Sequence, residues 1–220
     1  MDWIALRLSL ELGAWTLALL LPTSLWLGRF LAYNSFRGKS VVEAALALPL
    51  VLPPTVLGFY LLVATGGAAP LGKAWQAITG APLAFSFEGL VLASLIANIP
   101  FALQPVQQAF AAIPRDLREA AACSGLSPWR SFRLIELPLA WPGLLTGAVL
   151  TFAHTLGEFG VVLMVGGNIP GETRTIAIAI YDRVQAFDEA GAGTMSIFLL
   201  VFSLLAIAGT TALSRRKLSR

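Results

Sequence analysis

The chain is poor in cysteine, histidine and charge, and each shortage excludes a class of protein. Its 220 residues contain one cysteine, Cys123, and one histidine, His154. One cysteine cannot form an intrachain disulfide framework, and one histidine cannot build a Cys/His metal cluster. Charged residues make up 12% of the chain, whereas soluble proteins carry about 25%. So few charges cannot cover a soluble surface, and we therefore predict an integral membrane protein.

The chain also lacks the motifs of several enzyme classes. It has no G-x-x-x-x-G-K-[ST] motif for nucleotide phosphates, no H-E-x-x-H zinc motif and no G-x-S-x-G motif of serine hydrolases. We therefore expect that the chain does not hydrolyse ATP, is not an enzyme and uses no metal or other cofactor. Energy for any transport would have to come from a partner protein.

Five apolar segments are long enough to cross a bilayer, which requires about 20 mostly apolar residues. Hydrophobic residues make up 57% of the chain, and the mean hydropathy is +0.77. The predicted spans are residues 12–31, 42–63, 90–110, 139–156 and 195–213. The stretch 156–167 is too short to span and is predicted to be a re-entrant or pore-lining piece. Residues 1–10 have an amphipathic sequence and are predicted to lie along the interface. We expect no cleavable signal peptide, because no basic region precedes the first apolar run.

The distribution of Lys and Arg predicts the orientation of these spans. With the N-terminus outside and the C-terminus inside, eleven of the fifteen basic residues lie inside, and the outer four are Arg7, Lys73, Arg174 and Arg183. Cytoplasmic loops carry an excess of Lys and Arg. We therefore predict a single transmembrane domain, residues 1–220, with five spans, N-out and C-in.

A polar and basic loop, residues 113–138, interrupts the apolar chain on the predicted inner side. Its sequence predicts two short helices. The first begins after Pro114 and stops at Gly125 in the left-handed conformation, and Ser127 caps the second, which Pro138 closes. A structured pair of helices on one membrane face is typical of a docking surface, so we predict that a partner binds here.

This loop carries an E-A-A-x3-G-x9-I-x-L-P pattern that resembles the EAA loop of permeases of ATP-binding-cassette (ABC) importers, and we call residues 113–138 the EAA loop. The matching residues are Glu119, Ala120, Ala121, Gly125, Ile135, Leu137 and Pro138. Over residues 9–213, the resemblance implies an all-α, type I ABC-importer permease fold (MetI-like) with a cytoplasmic coupling helix. It also implies a homodimer in the bacterial inner membrane, two ATPase subunits docked inside and a binding protein outside. No nucleic-acid partner is expected.

Two further motifs narrow the resemblance. Residues 157–160 read G-E-F-G, and residues 168–175 read N-I-P-G-E-T-R-T. The first resembles the oxyanion branch of these permeases, which includes molybdate and sulfate types, and the second is closer to the molybdate type. The resemblance therefore implies import of molybdate delivered by a periplasmic molybdate-binding protein. Sulfate, thiosulfate and tungstate remain alternatives.

Several residues are candidates for the translocation path or its gate. They are Pro53, Pro54, Glu158, Phe159, Gly160, Asn168, Thr173 and Arg174. The two prolines bend a span and free backbone carbonyls, although prolines are common in membrane helices in any case. Glu158 is interpreted as a structural or gating residue, because a carboxylate binds a dianion poorly. Arg174 could pair with Glu158, bind the anion directly, or form a salt bridge with Glu172.

His154 and Glu158 lie four residues apart, so they share one face of a helix. Ionisable residues inside a membrane are functional candidates, because burying them is unfavourable. One interpretation is a proton relay, which would make the chain a proton-coupled secondary transporter. The other is that His154 is a packed, neutral side chain of an ABC permease.

Overall fold

The computed structural model describes the backbone of residues 1–218 and the side chains of residues 1–206, 208 and 209. Every regular element in this part of the chain is helical. The helices are α1 Trp3–Tyr33, α2 Lys39–Val51, α3 Pro54–Thr65, α4 Pro70–Thr79, α5 Phe87–Ala111, α6 Arg115–Cys123, α7 Pro128–Ser131, α8 Leu137–Gly157, α9 Gly160–Gly166, α10 Ile176–Gln185 and α11 Glu189–Leu218. A π-helical segment, Phe132–Glu136, joins α7 to α8. The predicted all-α fold class is confirmed.

Four helical stretches are long and apolar enough to cross a membrane. They are Trp3–Tyr33, Phe87–Ala111, Pro128–Gly157 and Glu189–Ala206. The pair α2 and α3 makes a fifth if it is counted as one span, but its two axes differ by 109°. The predicted segment 195–213 lies within α11, and its side chains beyond residue 209 are outside the described part. The chain thus has four to five apolar spans among the residues that the structure describes.

Helix α1 is longer than the predicted first span. We predicted that residues 1–10 lie along the interface, but the helix begins at Trp3 and runs through this stretch without a break. Asp2 caps the helix by accepting a hydrogen bond from the Ala5 N–H (3.0 Å). Ala5 is buried in a cluster with Ile176 of α10. Packing against α10 therefore buries one face of this stretch, whereas Trp3 and Ile4 on the other face remain exposed.

The predicted second span, residues 42–63, is not one straight helix. Helix α2 ends at Val51, and the extended residues Leu52 and Pro53 connect it to α3. Pro53 has no N–H with which to continue the helical hydrogen bonds. Pro54 lies in the first turn of α3, where a missing N–H is tolerated. The two prolines thus produce a break that is sharper than the bend we predicted.

The predicted fourth span, residues 139–156, belongs to a longer helical stretch, Pro128–Gly157. We predicted that Pro138 closes the second helix of the EAA loop, and this is wrong, because Pro138 lies in the first turn of α8. The N–H of Leu137 bonds to the Phe132 carbonyl five residues earlier. This wider π turn lets the chain pass the proline without ending the helix. The second loop helix and the membrane helix are consequently continuous.

The stretch 156–167 contains the end of α8 and the short helix α9, Gly160–Gly166, which is buried in the protein. Val161, Val162 and Val165 are at most 1% exposed. Helix α3 lies so close that a Cβ added at Gly58 would be 3.1 Å from the Val161 Cα. From its length we predicted that this stretch is a re-entrant or pore-lining piece, which is tolerated when it is buried in protein or faces water. Its burial agrees with the first of these conditions.

Helices α1, α5 and α8 form the centre of the bundle. One cluster of buried side chains contains Phe110 of α5 and Leu144 of α8, with Tyr33 of α1 packed against it. Glycine permits the closest approach, because a Cβ at Gly143 would lie 2.6 Å from the Pro105 carbonyl oxygen. Small residues of this kind let membrane helices pack backbone to backbone. This centre joins the EAA loop to the break between α2 and α3.

Candidate docking loop and translocation path

The EAA loop folds as the two helices that its sequence predicted. Helix α6 ends in a turn where Gly125 has a φ of 73°, the left-handed conformation that glycine adopts most easily. The Leu126 N–H closes this turn on the Ala121 carbonyl (3.1 Å). Ser127 then accepts a hydrogen bond from the Arg130 N–H (3.4 Å) and so caps α7. The predicted stop and restart of the helix are confirmed.

The structure divides the matching residues of the EAA loop into an exposed and an anchoring group. The exposed residues are Glu119, Ala120, Gly125 and Pro138, and the buried or half-buried residues are Ala121, Ile135 and Leu137. The Glu119 carboxylate pairs with Arg115 one turn away on the open surface of α6 (2.6 Å). Helix α6 therefore presents an exposed face, while Leu137 of the second group packs against the buried cluster at the centre of the bundle.

Residues that the sequence analysis missed connect this loop to α1. Arg29 of α1 donates two hydrogen bonds to the Glu136 carboxylate, from Nε (2.6 Å) and from Nη2 (3.2 Å). The Arg118 guanidinium of α6 lies 3.8 Å from the centre of the Tyr33 ring. The signal for this contact in the sequence was a positive charge at the end of an apolar span and a negative charge inside the EAA loop. Because 107 residues separate Arg29 from Glu136, no local pattern pairs them.

A cavity of about 140 Å³ lies beside the break between α2 and α3. Its lining includes Pro54 of α3, Phe101 of α5, and His154 and Glu158 at the end of α8. Gly160 lies against the same break, since an added Cβ would be 2.7 Å from the Pro54 Cβ. Three of the candidate path residues, Pro54, Glu158 and Gly160, are thus brought together although about 100 positions separate the first from the others.

A chain of hydrogen bonds crosses the interior from α1 to α8. The hydroxyl of Thr16 lies 3.0 Å from that of Ser94, and the Asn98 amide nitrogen donates to the Ser94 carbonyl (2.8 Å). The Asn98 amide oxygen lies 3.1 Å from Nδ1 of His154. Thr16, Ser94 and Asn98 are fully buried, so these bonds satisfy groups that hydrocarbon would leave unpaired. The sequence analysis missed Asn98, although an asparagine inside an apolar segment is a visible signal.

His154 is held from three sides. Its Nδ1 must donate to the Asn98 oxygen, because an amide oxygen can only accept. The ring stacks on Phe101 with 4.0 Å between ring centres, and Nε2 lies 3.7 Å from the Glu158 carboxylate. That buried carboxylate also accepts a hydrogen bond from the Val161 N–H (3.0 Å) and so caps the start of α9. In the described residues no third acidic, histidine or cysteine side chain joins this pair to form a metal site.

Arg174 belongs to a separate polar group after α9. Its Nε donates to the Asn168 side chain (2.7 Å) and lies 3.5 Å from the Asp182 carboxylate. The Asn168 amide nitrogen in turn donates to both Asp182 oxygens (2.9 Å each). The ion pair of Arg174 is therefore with Asp182, and neither the pairing with Glu158 nor the salt bridge with Glu172 that we considered is formed. Its charge is compensated locally.

The other two candidates in this region also make local contacts. Thr173 is fully buried, and its hydroxyl accepts a hydrogen bond from the Ile169 N–H (3.1 Å). The Phe159 ring packs on Tyr181 of α10 with 4.9 Å between ring centres. Both residues therefore shape the connection between α9 and α10.

Residues 24–219 match the sequence model of the family described as binding-protein-dependent transport system inner membrane component. The chain belongs to this family. The resemblance that its motifs carry is thereby confirmed, as is its expected place in the inner membrane. Membership also favours the ABC permease over the proton-coupled secondary transporter.

Relatives in this family are molybdenum and sulfate permease proteins. The molybdenum transport system permease protein ModB of Azotobacter vinelandii is 47% identical over 206 residues, covering 94% of this chain and 91% of that protein. ModB of Escherichia coli K12 is 37% identical over 223 aligned residues, covering 100% and 97%. A probable sulfate transport system permease protein, cysT of Chlorella vulgaris, is 33% identical over 175 residues, covering 78% and 65%.

Solved structures of ABC importers share the fold. A bacterial transporter that imports the acidic polysaccharide alginate has a TM-score of 0.75 at 18% identity, covering 97% of this chain and 78% of the matched chain. The inward-facing methionine transporter MetNI has a TM-score of 0.70 at 19% identity, covering 98% and 94%. At these identities the likeness shows the fold alone. The expected type I ABC-importer permease fold, MetI-like, is confirmed.

Proposed function

We propose that this chain is the permease subunit of an ATP-driven molybdate importer. The observation that supports molybdate most strongly is the 47% identity to a ModB protein over 94% of the chain. The G-E-F-G and N-I-P-G-E-T-R-T motifs, residues 157–160 and 168–175, agree with it. A periplasmic molybdate-binding protein delivers the anion, and the chain is oriented N-out and C-in with five spans.

Coupling to ATP hydrolysis runs through the EAA loop. Two cytoplasmic ATPase subunits dock on the exposed face of α6, which presents Glu119, Ala120 and Gly125. The residues that hold this face in place are Ala121, Ile135 and Leu137, and Pro138 lies in the first turn of the membrane helix α8. Because α7 continues into α8, a movement that α6 passes to α7 reaches a membrane span. The spans then switch as rigid bodies between inward-open and outward-open arrangements.

The translocation path lies between two copies of the chain. The cavity beside the break measures about 140 Å³, and a second copy related by a two-fold axis is the simplest way to complete a path across the membrane. The proposed gate consists of Pro53, Pro54, Glu158, Phe159 and Gly160. The residues that shape the adjoining loop are Asn168, Thr173 and Arg174. With the charge of Arg174 compensated by Asp182, the path passes the anion without binding it tightly.

The test is ATPase activity and uptake by the purified permease–ATPase complex in liposomes. Binding protein loaded with molybdate should stimulate hydrolysis, while the same protein loaded with sulfate should not. Stimulation only by the sulfate-loaded protein would support the permease assignment and identify sulfate as the substrate. Failure of any ATPase to copurify with the chain would contradict the docking proposal.

Sulfate is the second candidate substrate, because a probable sulfate permease is 33% identical over 78% of the chain. The liposome assay separates the two anions directly. It also tests the secondary-transporter alternative. Uptake that persists without ATP and stops when the proton gradient is collapsed would favour a relay through His154 and Glu158.

A further inference from the structure

The end of α1 that meets the EAA loop is bound to both helices of that loop. We call this cluster the α1 anchor, and its members are Trp26, Arg29, Tyr33, Arg118, Trp129, Phe132 and Glu136. We infer that the α1 anchor transmits ATPase movement to the first span, with Arg29 as its positioning residue. This inference rests on the proposed docking of ATPase subunits on the EAA loop.

The contact between Arg29 and Glu136 is fixed in register. It consists of two hydrogen bonds, of 2.6 and 3.2 Å, between a guanidinium and a carboxylate. Glu136 is only 3% exposed. A two-point bond between opposite charges specifies both distance and angle, and removing one partner leaves the other charge buried without compensation. Helix α1 is therefore joined firmly to the π segment at the start of α8.

Aromatic rings hold the Arg29 side chain in place. Its guanidinium carbon lies 5.4 Å from the centre of the Tyr33 ring and 5.5 Å from that of Phe132. The Phe132 ring packs against two tryptophans, at 5.0 Å from Trp26 and 5.4 Å from Trp129, and these two rings also stack on each other at 6.3 Å. Cations are attracted to the faces of such rings. The anchor thus ties α1 to α7 as well as to the π segment.

The contact between α1 and α6 is of a different kind. The Arg118 guanidinium lies over the Tyr33 ring at 3.8 Å. The Arg118 Nε and the Tyr33 hydroxyl are buried and have no hydrogen-bond partner among the described residues. A cation over a ring face has no fixed register, so Arg118 can slide over Tyr33 without breaking a directional bond. Gly125 separates α6 from α7 and supplies the turn at which the two helices can change their angle.

These two contacts divide the EAA loop into a part that can slide relative to α1 and a part that is bound to α1. Helix α6 carries the exposed docking face and slides on Tyr33, whereas α7 and α8 are fixed to α1. The fixed part continues into α5, because a Cβ at Gly28 would lie 3.0 Å from a methyl carbon of Val106. A displacement of α6 beyond the reach of this sliding contact therefore moves α1, α5 and α8 together. Without the Arg29–Glu136 bond, only ring contacts would join this end of α1 to the EAA loop, and less of the movement would reach α1.

The test measures molybdate uptake per ATP hydrolysed by the reconstituted permease–ATPase complex with molybdate-loaded binding protein. In Arg29→Gln the ATPase should still copurify, since the exposed face of α6 is unchanged, but uptake per ATP should fall by about fivefold or more. The matched control is Arg37→Gln, an exposed arginine shortly after the end of α1, which should keep the parental ratio. Reversing the pair, Arg29→Glu with Glu136→Arg, should recover much of the loss.

Five outcomes would contradict the inference or the docking proposal. A parental ratio in Arg29→Gln, or a reversed pair that is no better than Arg29→Gln, would overturn the inference. Loss of ATPase copurification in Arg29→Gln alone would mean that the pair only shapes the dock, which also overturns it. Loss in the parent and in Arg37→Gln would contradict the docking proposal itself. If Arg29→Gln does not fold, Arg29→Lys keeps the charge without the second hydrogen bond and should show a smaller fall in the same ratio, and an unchanged ratio there would refute the anchor.

Discussion

An alanine at Gly160 should push α9 away from α3, whereas an alanine at Gly157, three residues earlier in the same G-E-F-G motif, should be harmless. The new Cβ at Gly160 would lie 2.7 Å from the Pro54 Cβ and 3.5 Å from the Thr55 N. The proline ring cannot rotate out of the way, so the two helices must separate. The Cβ at Gly157 would meet nothing within 4 Å.

The sizes of the two effects follow from this geometry. Inserting a methyl group into a packed interior costs about 1–3 kcal/mol when backbone has to move. An unhindered change from glycine to alanine in a helix instead stabilises by about 0.5–1 kcal/mol. For a chain of this length, 1 kcal/mol corresponds to roughly 2–4 °C in Tm. Gly160→Ala should therefore lower the Tm by several degrees, and Gly157→Ala should leave it unchanged or raise it slightly.

The assay is thermal unfolding of both variants in the same lipid nanodiscs, followed by uptake in liposomes. Gly160→Ala should also slow transport, because it displaces α9 at the break beside the cavity. Equal melting temperatures for the two variants would refute the close approach of Gly160 to Pro54. If Gly160→Ala is destabilised but transports at the parental rate, the contact with Pro54 is supported and the break between α2 and α3 is not part of the gate.

Three further predictions concern the loop, the interior and the start of α11. Gly125→Ala forces a side chain into the left-handed conformation, which should destabilise the turn by about 1 kcal/mol and weaken ATPase copurification. Gly125→Asn should retain more of the ATPase, and equal retention by both variants would contradict this account. Asn98→Leu removes the hydrogen bond to the histidine ring and leaves a buried donor unpaired, which should lower the Tm by several degrees at about 1–3 kcal/mol; an unchanged Tm would show that the chain of hydrogen bonds is not required. The backbone N–H of Gly191 and the Arg183 guanidinium lower the pKa of Asp188. This carboxylate therefore stabilises the fold above its unfolded pKa and loses that effect as the pH falls through its lower folded pKa. Asp188→Asn should therefore reduce the Tm at pH 7, and the reduction should shrink as the pH falls below about 4; a reduction that does not change with pH would refute this.

Local features of the EAA loop could be predicted from the sequence because they depend on neighbours in the chain. The left-handed turn at Gly125 and the cap at Ser127 each involve residues within a few positions. Pro138 shows the limit of such reasoning. A proline disrupts a helix because it lacks an N–H and because its ring clashes with the carbonyl four residues earlier. Here Pro138 follows the π-helical segment Phe132–Glu136, in which the bonds run five residues back.

Contacts between distant segments could not be predicted in the same way. Opposite charges at Arg29 and Glu136 were visible in the sequence, but nothing local indicated that they meet. The same is true of Arg174, for which the sequence offered Glu158 and Glu172 as partners and the fold supplied Asp182 of α10. Helix α10 itself was not predicted, and its packing buries one face of the start of α1.

The buried amide of Asn98 also bears on how the chain is inserted during synthesis. An amide without partners opposes entry into hydrocarbon. Its nitrogen bonds to the Ser94 carbonyl one turn earlier on the same helix (2.8 Å), so α5 meets that half of the requirement as soon as it is helical. The amide oxygen must wait for His154, which the ribosome adds 56 residues later. Helix α5 can therefore leave the translocon before α8 exists, but it acquires its last hydrogen bond only when α8 arrives beside it.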